Sequence, residues 1–482
     1  MDSYSGAAPL PPRSRLALAL LGAVFVAVKL PVLDLPFYWD EQAYVLPSAS
    51  LAREGLVHVL PGLHPPAQFF GHPPLLYLLL GAQFAAFGET RWIPHALVLG
   101  FALSAIAGTF AIGRRVGDAY TGAVAAALLC ATPIFFTQSA MVLADVVLAA
   151  LGVWAVHFCL AQRRAAYLAT ATALLLCKET GLAIVASCAV YAFAVAPGSP
   201  RAARWRAGLL HAAPALALGL FFAAQQWTAH ALVTNRYFAA NSLFNTGLFA
   251  GETLHLFVRV AKWLFFTQGK WALAVCLAAA LCLRPRDLLR RELALFAGIA
   301  AAFGAAFVLI FFLPRYLIPV LPFYCIAAAC AIASLVRGRR WLRLAAPLAV
   351  EICLLARLAT PCDRFGGLEA NLCYVHAVTA DRAAAEWLAR QPADRTGVVP
   401  WPYVRNLLEP VLGYVAQPAP AALRWVGTPG PAPDFVVTAP SSTTEAEHAR
   451  LAELLAQGAF APSARFASGG SVVEVHVRAA PE

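Results

Sequence analysis

Apolar runs of membrane-spanning length recur along the chain as far as Leu355, and short arginine-rich segments separate them. Of the 482 residues, 61% are hydrophobic and only 13% are charged. A soluble domain normally carries about 25% charged residues, so the pattern predicts a polytopic α-helical membrane protein. The net charge of +11 falls in the clusters between the runs. It therefore indicates membrane topology and argues against a nucleic-acid partner.

The positions of the arginines predict about eleven spans with a cytoplasmic N-terminus. The predicted spans are Leu16–Leu33, Trp92–Ile112, Tyr120–Phe136, Ala144–Leu160, Ala165–Leu176, Gly181–Ala196, Leu209–Gln226, Trp271–Leu283, Leu293–Leu313, Tyr316–Leu335 and Leu342–Leu355. With this count every arginine cluster between spans lies on the side of Arg13 and Arg15, as the positive-inside rule requires.

One apolar run, Pro73–Phe87, is short for a span, which needs about 20 residues, so the positions of the arginines decide whether it crosses. If it crossed the membrane, the later arginine clusters would lie on the side opposite Arg13 and Arg15. We therefore expect an interfacial helix here, within a first external loop at residues 34–91.

An acidic stretch, Phe37-Tyr38-Trp39-Asp40-Glu41-Gln42-Ala43-Tyr44, follows the first span directly. Two adjacent carboxylates flanked by aromatic residues thus lie at a membrane boundary. A charge at the bilayer centre costs roughly 2.5–3.5 kcal/mol on insertion scales, and acids near hydrocarbon are candidates for function. The alternative is a solvated loop acid beside an aromatic belt.

The composition changes after about Thr360, where Pro, Ser, Thr, Asp and Glu become more frequent. This change predicts a transmembrane domain at residues 1–358 and a small extracytoplasmic α/β domain at residues 359–482. Its predicted elements are the helices Asp381–Arg390 and Thr443–Gln457 and the strands Gly397–Trp401, Leu423–Gly427, Phe435–Ala439 and Ser471–Arg478. Cys362 and Cys373 lie outside the predicted bilayer and can pair if this region is extracytoplasmic.

The predicted topology brings a set of polar residues to the external face. They are Asp40, Glu41, His72, Arg91, Asp145, Lys178, Glu179, Arg259, Lys262 and Arg315. Carboxylates can take a proton from an attacking hydroxyl or amine. Cations at the headgroup level can hold a phosphate and stabilise it as a leaving group. Together these residue types predict group transfer from a lipid-linked phosphate donor.

Several of these residues also have a structural interpretation. Lys178 and Arg315 can snorkel to lipid headgroups, and Asp145 can serve as a helix N-cap. His255, Arg259 and Lys262 recur at helical spacing, which predicts an amphipathic surface helix that contacts headgroups.

Metal binding is left open by the sequence. His58, His64, His72 and Asp40 offer nitrogen and oxygen ligands, but their spacing matches no standard zinc motif. No cofactor is assigned, and a divalent metal stays an option. The sequence contains no glycine-rich phosphate loop and no nucleophile elbow, so soluble nucleotide-sugar chemistry has no signature here.

Six short motifs follow one another along residues 15–335. They are Asp40-Glu41, His72-Pro73-Pro74-Leu75, Arg91, Ala144-Asp145, Lys178-Glu179-Thr180-Gly181 and Arg315-Tyr316-Leu317-Ile318-Pro319. In this order they resemble the GT-C glycosyltransferases, and most of all the bacterial branch related to protein O-mannosyltransferases and lipid A aminoarabinose transferases. Each motif is weak alone, and the ordered set is what makes the resemblance specific.

The resemblance implies a GT-C-like enzyme that takes a sugar from a polyprenyl-phosphate carrier, inverts the anomeric centre and works on the periplasmic face of a bacterial inner membrane. Asp40 would be the general base, with Glu41 beside it as the second catalytic candidate. The residues implied for donor phosphate binding are Lys178, Arg315, Arg91 and His72. Those implied to shape the substrate site are Asp145, Glu179, Tyr316, Arg259 and Lys262.

One motif departs from the aminoarabinose branch, which tends to have Lys-Pro-Pro where this chain has His72-Pro73-Pro74. A neutral imidazole contributes less to phosphate binding than an ammonium group does. The resemblance therefore leaves the sugar open.

The sequence thus predicts a membrane glycosyltransferase whose partners are a polyprenyl-phosphate sugar, membrane lipids and an acceptor glycan, lipid or protein. A transporter or flippase for a lipid-linked or anionic substrate is the competing class. It predicts charges in the middle of spans and inverted repeats with broken helices, whereas this chain places its polar residues at span ends and shows no clear repeat. A third class, a membrane scaffold, leaves Asp40, Lys178 and Arg315 unexplained.

Overall fold

The structure is a computed structural model that describes residues 12–59, 72–195, 200–230, 252–309, 312–358, 370–401, 403–440, 443, 445–458 and 460–479. Its α-helices are α1 (Pro12–Lys29), α2 (Gln42–Glu54), α3 (Leu75–Phe87), α4 (Trp92–Val116), α5 (Ala119–Ala131), α6 (Pro133–Gln138), α7 (Ala144–Leu160), α8 (Arg164–Cys177), α9 (Leu182–Ala194), α10 (Arg201–Ala212), α11 (Ala215–Ala229), α12 (Glu252–Phe265), α13 (Trp271–Leu283), α14 (Pro285–Leu288), α15 (Arg291–Leu309), α16 (Leu321–Leu335), α17 (Leu342–Leu355), α18 (Cys373–Leu388), α19 (Tyr403–Leu408) and α20 (Glu445–Gln457). The strands are β1 (Thr396–Val399), β2 (Ala422–Trp425), β3 (Phe435–Thr438), β4 (Phe460–Ser468) and β5 (Ser471–Arg478).

Short 3₁₀ helices connect several of these elements. Those that matter for the site are Trp39–Glu41, Glu179–Gly181, Pro314–Val320 and Pro410–Leu412. Each joins two α-helices or lies between a helix and a loop, so a polar side chain can be placed at the end of an apolar helix there.

Three helical segments of the described chain are long and apolar enough to cross a membrane: Arg15–Val32, Trp92–Val116 and Pro314–Leu335. The helices α10 and α11 make a fourth candidate as a pair bent by 46°. Other apolar helices, among them α3, α5, α7, α8 and α13, have only 10 to 17 residues. The membrane-helix character is confirmed, whereas the number of eleven spans stays a prediction.

Close packing of the helix bundle fixes α4 against α5 and α7. A Cβ added at Gly113 of α4 would lie 2.9 Å from the Cα of Gly122 in α5. A Cβ added at Gly108 of α4 would collide with the Cγ1 atom of Val153 in α7. Small residues of this kind let helix backbones approach each other in a membrane, where no hydrophobic force drives them together. The rigid bundle holds the N-terminal ends of α4 and α7 beside each other.

The C-terminal region forms a five-stranded sheet in the order β2-β1-β3-β5-β4. The strands β2, β1 and β3 are parallel, and β5 pairs antiparallel with both β3 and β4. The helices α18 and α20 accompany the sheet, so an α/β arrangement is present as predicted. Strand β5 has the predicted bounds. Strand β4 and helix α19 were not predicted.

Two predicted features concern cysteine pairing and the surface helix. Cys373 is disulfide-bonded, and Cys362, its predicted partner, lies outside the described residues, as does His64. The predicted amphipathic helix is present as α12, with Val260 and Leu264 buried and Arg259 and Lys262 exposed.

Candidate active site

The turn that carries Asp40 is a 3₁₀ helix, Trp39–Glu41, between the first span and α2. Trp39 has a positive φ of 46°, a conformation that costs a residue with a side chain roughly 1–3 kcal/mol. Such a backbone persists only where the surroundings over-determine it. Tight anchoring of Glu41, two residues later, supplies that constraint.

Glu41 is 1% exposed, and its two carboxylate oxygens are bound to three groups. The backbone N–H of Tyr38 donates to Oε2 at 2.6 Å, which closes the turn on itself. The backbone N–H of Val142 donates to Oε1 at 2.5 Å. The same oxygen lies 3.2 Å from Nε2 of His95, whose Nδ1 lies 2.8 Å from the carbonyl oxygen of Leu33. Glu41 therefore ties together the end of span 1, the start of α4 and the segment before α7.

Asp40 points elsewhere and begins a chain of four charged side chains. Its Oδ2 accepts from Nη2 of Arg315 in a close contact. Nε of Arg315 lies 3.4 Å from Oδ2 of Asp145, whose Oδ1 accepts from Nζ of Lys178 at 2.7 Å. The four formal charges balance. Asp40 has a side chain that is 39% exposed, whereas the side chains of the other three are at most 9% exposed.

Local sequence explains why these charges meet. Asp145 lies in the first turn of α7, where the helix dipole favours a carboxylate. Lys178 follows the last residue of α8 in an extended conformation. Arg315 lies in the 3₁₀ helix that Pro314 opens before α16. Each residue thus lies at the end of an apolar helix, and these ends converge on one face of the bundle.

An aromatic track leads from this cluster to an exposed cation. Tyr316 lies under both Lys178 and Arg315, at 4.3 Å from Nζ and 5.5 Å from Cζ. Its ring stacks on Phe307 at 5.1 Å, and Phe312 lies 6.4 Å beyond. The guanidinium of Arg259 on α12 lies 5.8 Å from the ring of Phe312. Arg259 is exposed and makes no ion pair with any other described residue.

His72 and Glu179 form a second polar pair in the same part of the fold. Nδ1 of His72 lies 3.1 Å from Oε2 of Glu179, and both side chains are about three-quarters buried. The His72 ring stacks on Tyr44 of α2, which stacks on Tyr77 of α3. Because Glu179 directly follows Lys178, this pair adjoins the Asp40 cluster.

Arg91 binds a carboxylate that was not singled out from the sequence. Its Nη2 lies 2.9 Å from Oδ2 of Asp34, and its Nε also donates to the Asp34 carbonyl oxygen at 3.1 Å. No contact joins it to Asp40 or Arg315 in the described chain. The exposed Lys262 on α12 makes no ion pair with the described residues either.

The C-terminal region packs directly on the turn that carries Asp40. The carbonyl of Leu412 accepts from the N–H of Phe37 at 3.0 Å, and Oδ1 of Asn406 accepts from Nε2 of Gln42 at 2.7 Å. Gly413 has a φ of 86°, and a Cβ there would collide with the side chain of Arg91. These contacts were not visible in the sequence, because they join residues more than 320 positions apart.

A buried tyrosine fastens this covering segment to its own domain. The hydroxyl of Tyr403 donates to Oδ1 of Asp381 at 2.6 Å. Burial raises the pKa of Tyr403 well above its usual value, and the adjacent Asp381 carboxylate acts in the same direction. The hydroxyl therefore stays protonated and remains a donor at all physiological pH values.

The metal site predicted as an option is not assembled by the described residues. They contain no group of three or more His, Cys, Asp or Glu side chains that could hold a metal ion. His58 and His72 belong to different segments, and His64 lies outside the described ranges.

Comparison with known proteins identifies the fold that carries this site. No protein-family model and no curated protein matches the sequence. Among solved structures, ArnT from Cupriavidus metallidurans in the apo state matches with a TM-score of 0.56 and 16% identity over 98% of this chain and 100% of that one. Its complex with undecaprenyl phosphate matches with a TM-score of 0.58 and 17% identity over 96% and 99% of the two chains.

A third match is the oligosaccharyltransferase AglB from Archaeoglobus fulgidus in complex with an inhibitory peptide and a dolichol-phosphate. Its TM-score is 0.51 at 13% identity, over 85% of this chain and 64% of that one. ArnT and AglB are both GT-C glycosyltransferases. The chain has the GT-C fold. This fold, together with the helices long and apolar enough to cross a membrane, supports an integral membrane protein and confirms the resemblance inferred from the ordered motifs.

Replacing Glu41 tests whether it anchors the Asp40 turn of this GT-C fold. In Glu41→Gln one oxygen becomes an NH₂ group that faces a backbone N–H, so a buried hydrogen bond is lost at a cost of about 1–3 kcal/mol. We expect lower thermal stability in detergent. His95→Gln, which keeps one donor towards Glu41, should lose less stability. A Glu41→Gln protein with wild-type melting behaviour would contradict the anchoring role.

Proposed function

We propose that this chain is a membrane glycosyltransferase that moves a sugar from a polyprenyl-phosphate donor to an extracytoplasmic acceptor. The observation that carries the proposal is the pairing of a half-exposed Asp40 with Arg315. This pair lies where helix ends converge in a chain with the GT-C fold. The ArnT structure with undecaprenyl phosphate and the AglB structure with a dolichol-phosphate support a donor of this class.

Asp40 is the general base of the proposed reaction. Its carboxylate is the most exposed member of the charged cluster, so an acceptor can reach it. Arg315 holds it in one orientation through their ion pair. Asp40 takes the proton of an acceptor hydroxyl or amine while that group attacks the anomeric carbon of the donor. A positioned base of this kind contributes about 10²–10⁴-fold to a rate.

The departing polyprenyl phosphate needs a positive charge that is free to meet it. Lys178 and Arg315 were both predicted for this role, but Asp145 and Asp40 together already balance their charges. Arg259 is exposed and lies at the end of the aromatic track that starts beneath Arg315. We assign the first phosphate contact to Arg259. Arg315 then connects the base, Asp40, to the side where the phosphate leaves. Cations that meet developing charge in a dry site give large rate effects.

Lys178, Asp145 and Tyr316 then support the reacting residues. Asp145 binds both Lys178 and Arg315, so it sets the position of the guanidinium that orients Asp40. The His72–Glu179 pair and Arg91 lie outside this chain of contacts. For these three residues the proposal is a role in shaping the donor pocket around the cluster.

Proteoliposomes separate this function from its competitors. Purified protein is reconstituted with radiolabelled polyprenyl-phosphate sugars and an envelope lipid fraction as acceptor. A glycosyltransferase releases free polyprenyl phosphate and labels an acceptor. A flippase moves intact donor across the bilayer, and a scaffold does neither. Movement of intact donor without release would overturn the proposal.

A further inference from the structure

A basic cleft lies where α13 ends and α14 begins, beside the end of α16. Its volume is about 470 Å³, within the range of about 300–1,000 Å³ that ligand sites occupy. The residues that line it are Leu283, Arg284, Pro285, Arg286, Asp287 and Arg337. Two separate helix junctions therefore contribute to one concave surface.

The charges in this cleft do not balance. Asp287 is its only acid, and this carboxylate is occupied by Ser334, whose hydroxyl donates at 2.6 Å, and by Arg337 at 3.4 Å. Arg284 and Arg286 form no ion pair with the rest of the described chain. Two guanidinium groups thus remain available, and guanidinium groups bind phosphate oxygens through paired hydrogen bonds.

Exposed apolar side chains lie in the cleft and close to it in the sequence. Leu283, which lines the cleft, is 72% exposed. Leu289, two residues after Asp287, is 78% exposed, and Trp341, four residues after Arg337, is 70% exposed. Exposed leucines beside a tryptophan and arginines are typical of the boundary between hydrocarbon and headgroups. A ligand here would meet cations at one end and an apolar surface at the other.

The cleft lies on the face opposite the candidate active site. His95 in the first turn of α4 contacts Glu41, whereas Val116 at the other end of α4 accepts a hydrogen bond from Arg290, three residues after Asp287. The α16 helix repeats this arrangement, since Arg315 precedes its start and Ser334 lies in its last turn. The cleft therefore belongs to the other leaflet.

We propose that this cleft binds the headgroup of an anionic phospholipid in the leaflet opposite the active site. Arg284 and Arg286 hold the phosphate, Arg337 joins them while it remains fixed by Asp287, and the acyl chains lie along Leu283 and Leu289. Basic pockets between membrane helices bind anionic lipid headgroups in this way. The proposal is independent of the chemistry at Asp40.

Native mass spectrometry of the delipidated full-length protein tests it, with cardiolipin as the probe and phosphatidylcholine and inorganic phosphate in parallel. We expect cardiolipin to bind and the triple variant Arg284→Gln/Arg286→Gln/Arg337→Gln to bind it at least tenfold more weakly. The control Arg201→Gln/Arg339→Gln/Arg340→Gln removes the same charge outside the cleft and should change binding less than twofold.

Three results would overturn the proposal. Equal losses in the two triple variants would show that general positive charge attracts the lipid. Equal binding of phosphatidylcholine and cardiolipin would show that the anionic headgroup does not determine binding. Inorganic phosphate that competes fully with cardiolipin would make the cleft a site for free phosphate. If the triple variant does not fold, Arg286→Gln alone should still weaken cardiolipin binding, and an unchanged affinity there would also contradict the assignment.

Discussion

Asp40→Asn is expected to lower sugar transfer by about 10²–10⁴-fold while the protein still folds and inserts. The amide keeps the size of the side chain and its oxygen still accepts from Arg315, so the geometry of the turn survives. The amide cannot take a proton from the acceptor. Since Glu41 holds the turn through its own three contacts, the loss of the Asp40 charge should leave the fold unchanged.

The measurement is the initial rate of label transfer in proteoliposomes that contain equal amounts of folded protein. Asp34→Asn is the matched control, because this acid lies in the same loop and pairs with Arg91 in a mostly exposed setting. An exposed pair contributes only about 0–1 kcal/mol, so Asp34→Asn should keep most of the activity. Wild-type turnover by Asp40→Asn would refute the assignment of Asp40 as the base.

Asp145→Ala is expected to destabilise the protein by about 3–5 kcal/mol, because it removes the carboxylate bound to the buried Lys178 and leaves Arg315 with Asp40 alone. Lys178 and Arg315 are only 5% and 8% exposed, and both are bound to Asp145. The variant should also lose transfer, since Arg315 no longer has a fixed position from which to orient Asp40.

Chemical or thermal denaturation in one detergent measures the loss of stability. The double variant Asp145→Ala/Lys178→Met removes the orphaned charge together with its partner. Its loss of stability should therefore be smaller than the sum of the losses in the two single variants. Glu386→Ala serves as control because Glu386 pairs with Arg382 at an exposed helical position, where losses are small. An Asp145→Ala protein as stable as the wild type would show that the cluster does not hold the helix ends together.

The GT-C fold was predictable from the order of the motifs, and the contacts of Asp40 with Arg315 and of Asp145 with Lys178 agree with that order. The different environments of Asp40 and Glu41 were not predictable. Adjacent acids look alike in a sequence, and only the backbone turn at Trp39 sends one to Arg315 and the other to Val142 and His95. His95 was overlooked, although its position one helical turn after Arg91 places it at the same helix end.

The ion pairs of the cations show a second limit of prediction from the sequence. Lys178 and Arg315 were expected to meet the donor phosphate because each ends or begins an apolar run. Their pairing with Asp145 depends on the packing of α7 against α8 and Pro314–Val320, which no local pattern reveals. Arg259 was expected only to shape the site, and because it makes no ion pair with the described residues, we propose it instead as the first phosphate ligand.

The α/β class of the C-terminal domain was predicted, but its contacts with the candidate site were not. Strand β4 was missed because Pro462 and alternating small residues hide it, although Gly469-Gly470 before β5 is a recognisable hairpin turn. Helix α19 and Pro410–Leu412 were missed because they are short. Their contacts with Phe37 and Gln42 make them a cover for the Asp40 turn.

The central claim is that Asp40 and Arg315 transfer a sugar from a polyprenyl-phosphate carrier. A single-turnover experiment with labelled donor bound to the purified protein tests it most directly, by counting released carrier and determining the anomeric configuration of the product. The account predicts one free polyprenyl phosphate for each sugar transferred, an inverted anomeric centre, and neither product from Asp40→Asn. Carrier that stays bonded to its sugar in the wild-type protein, or a product with retained configuration, would contradict it.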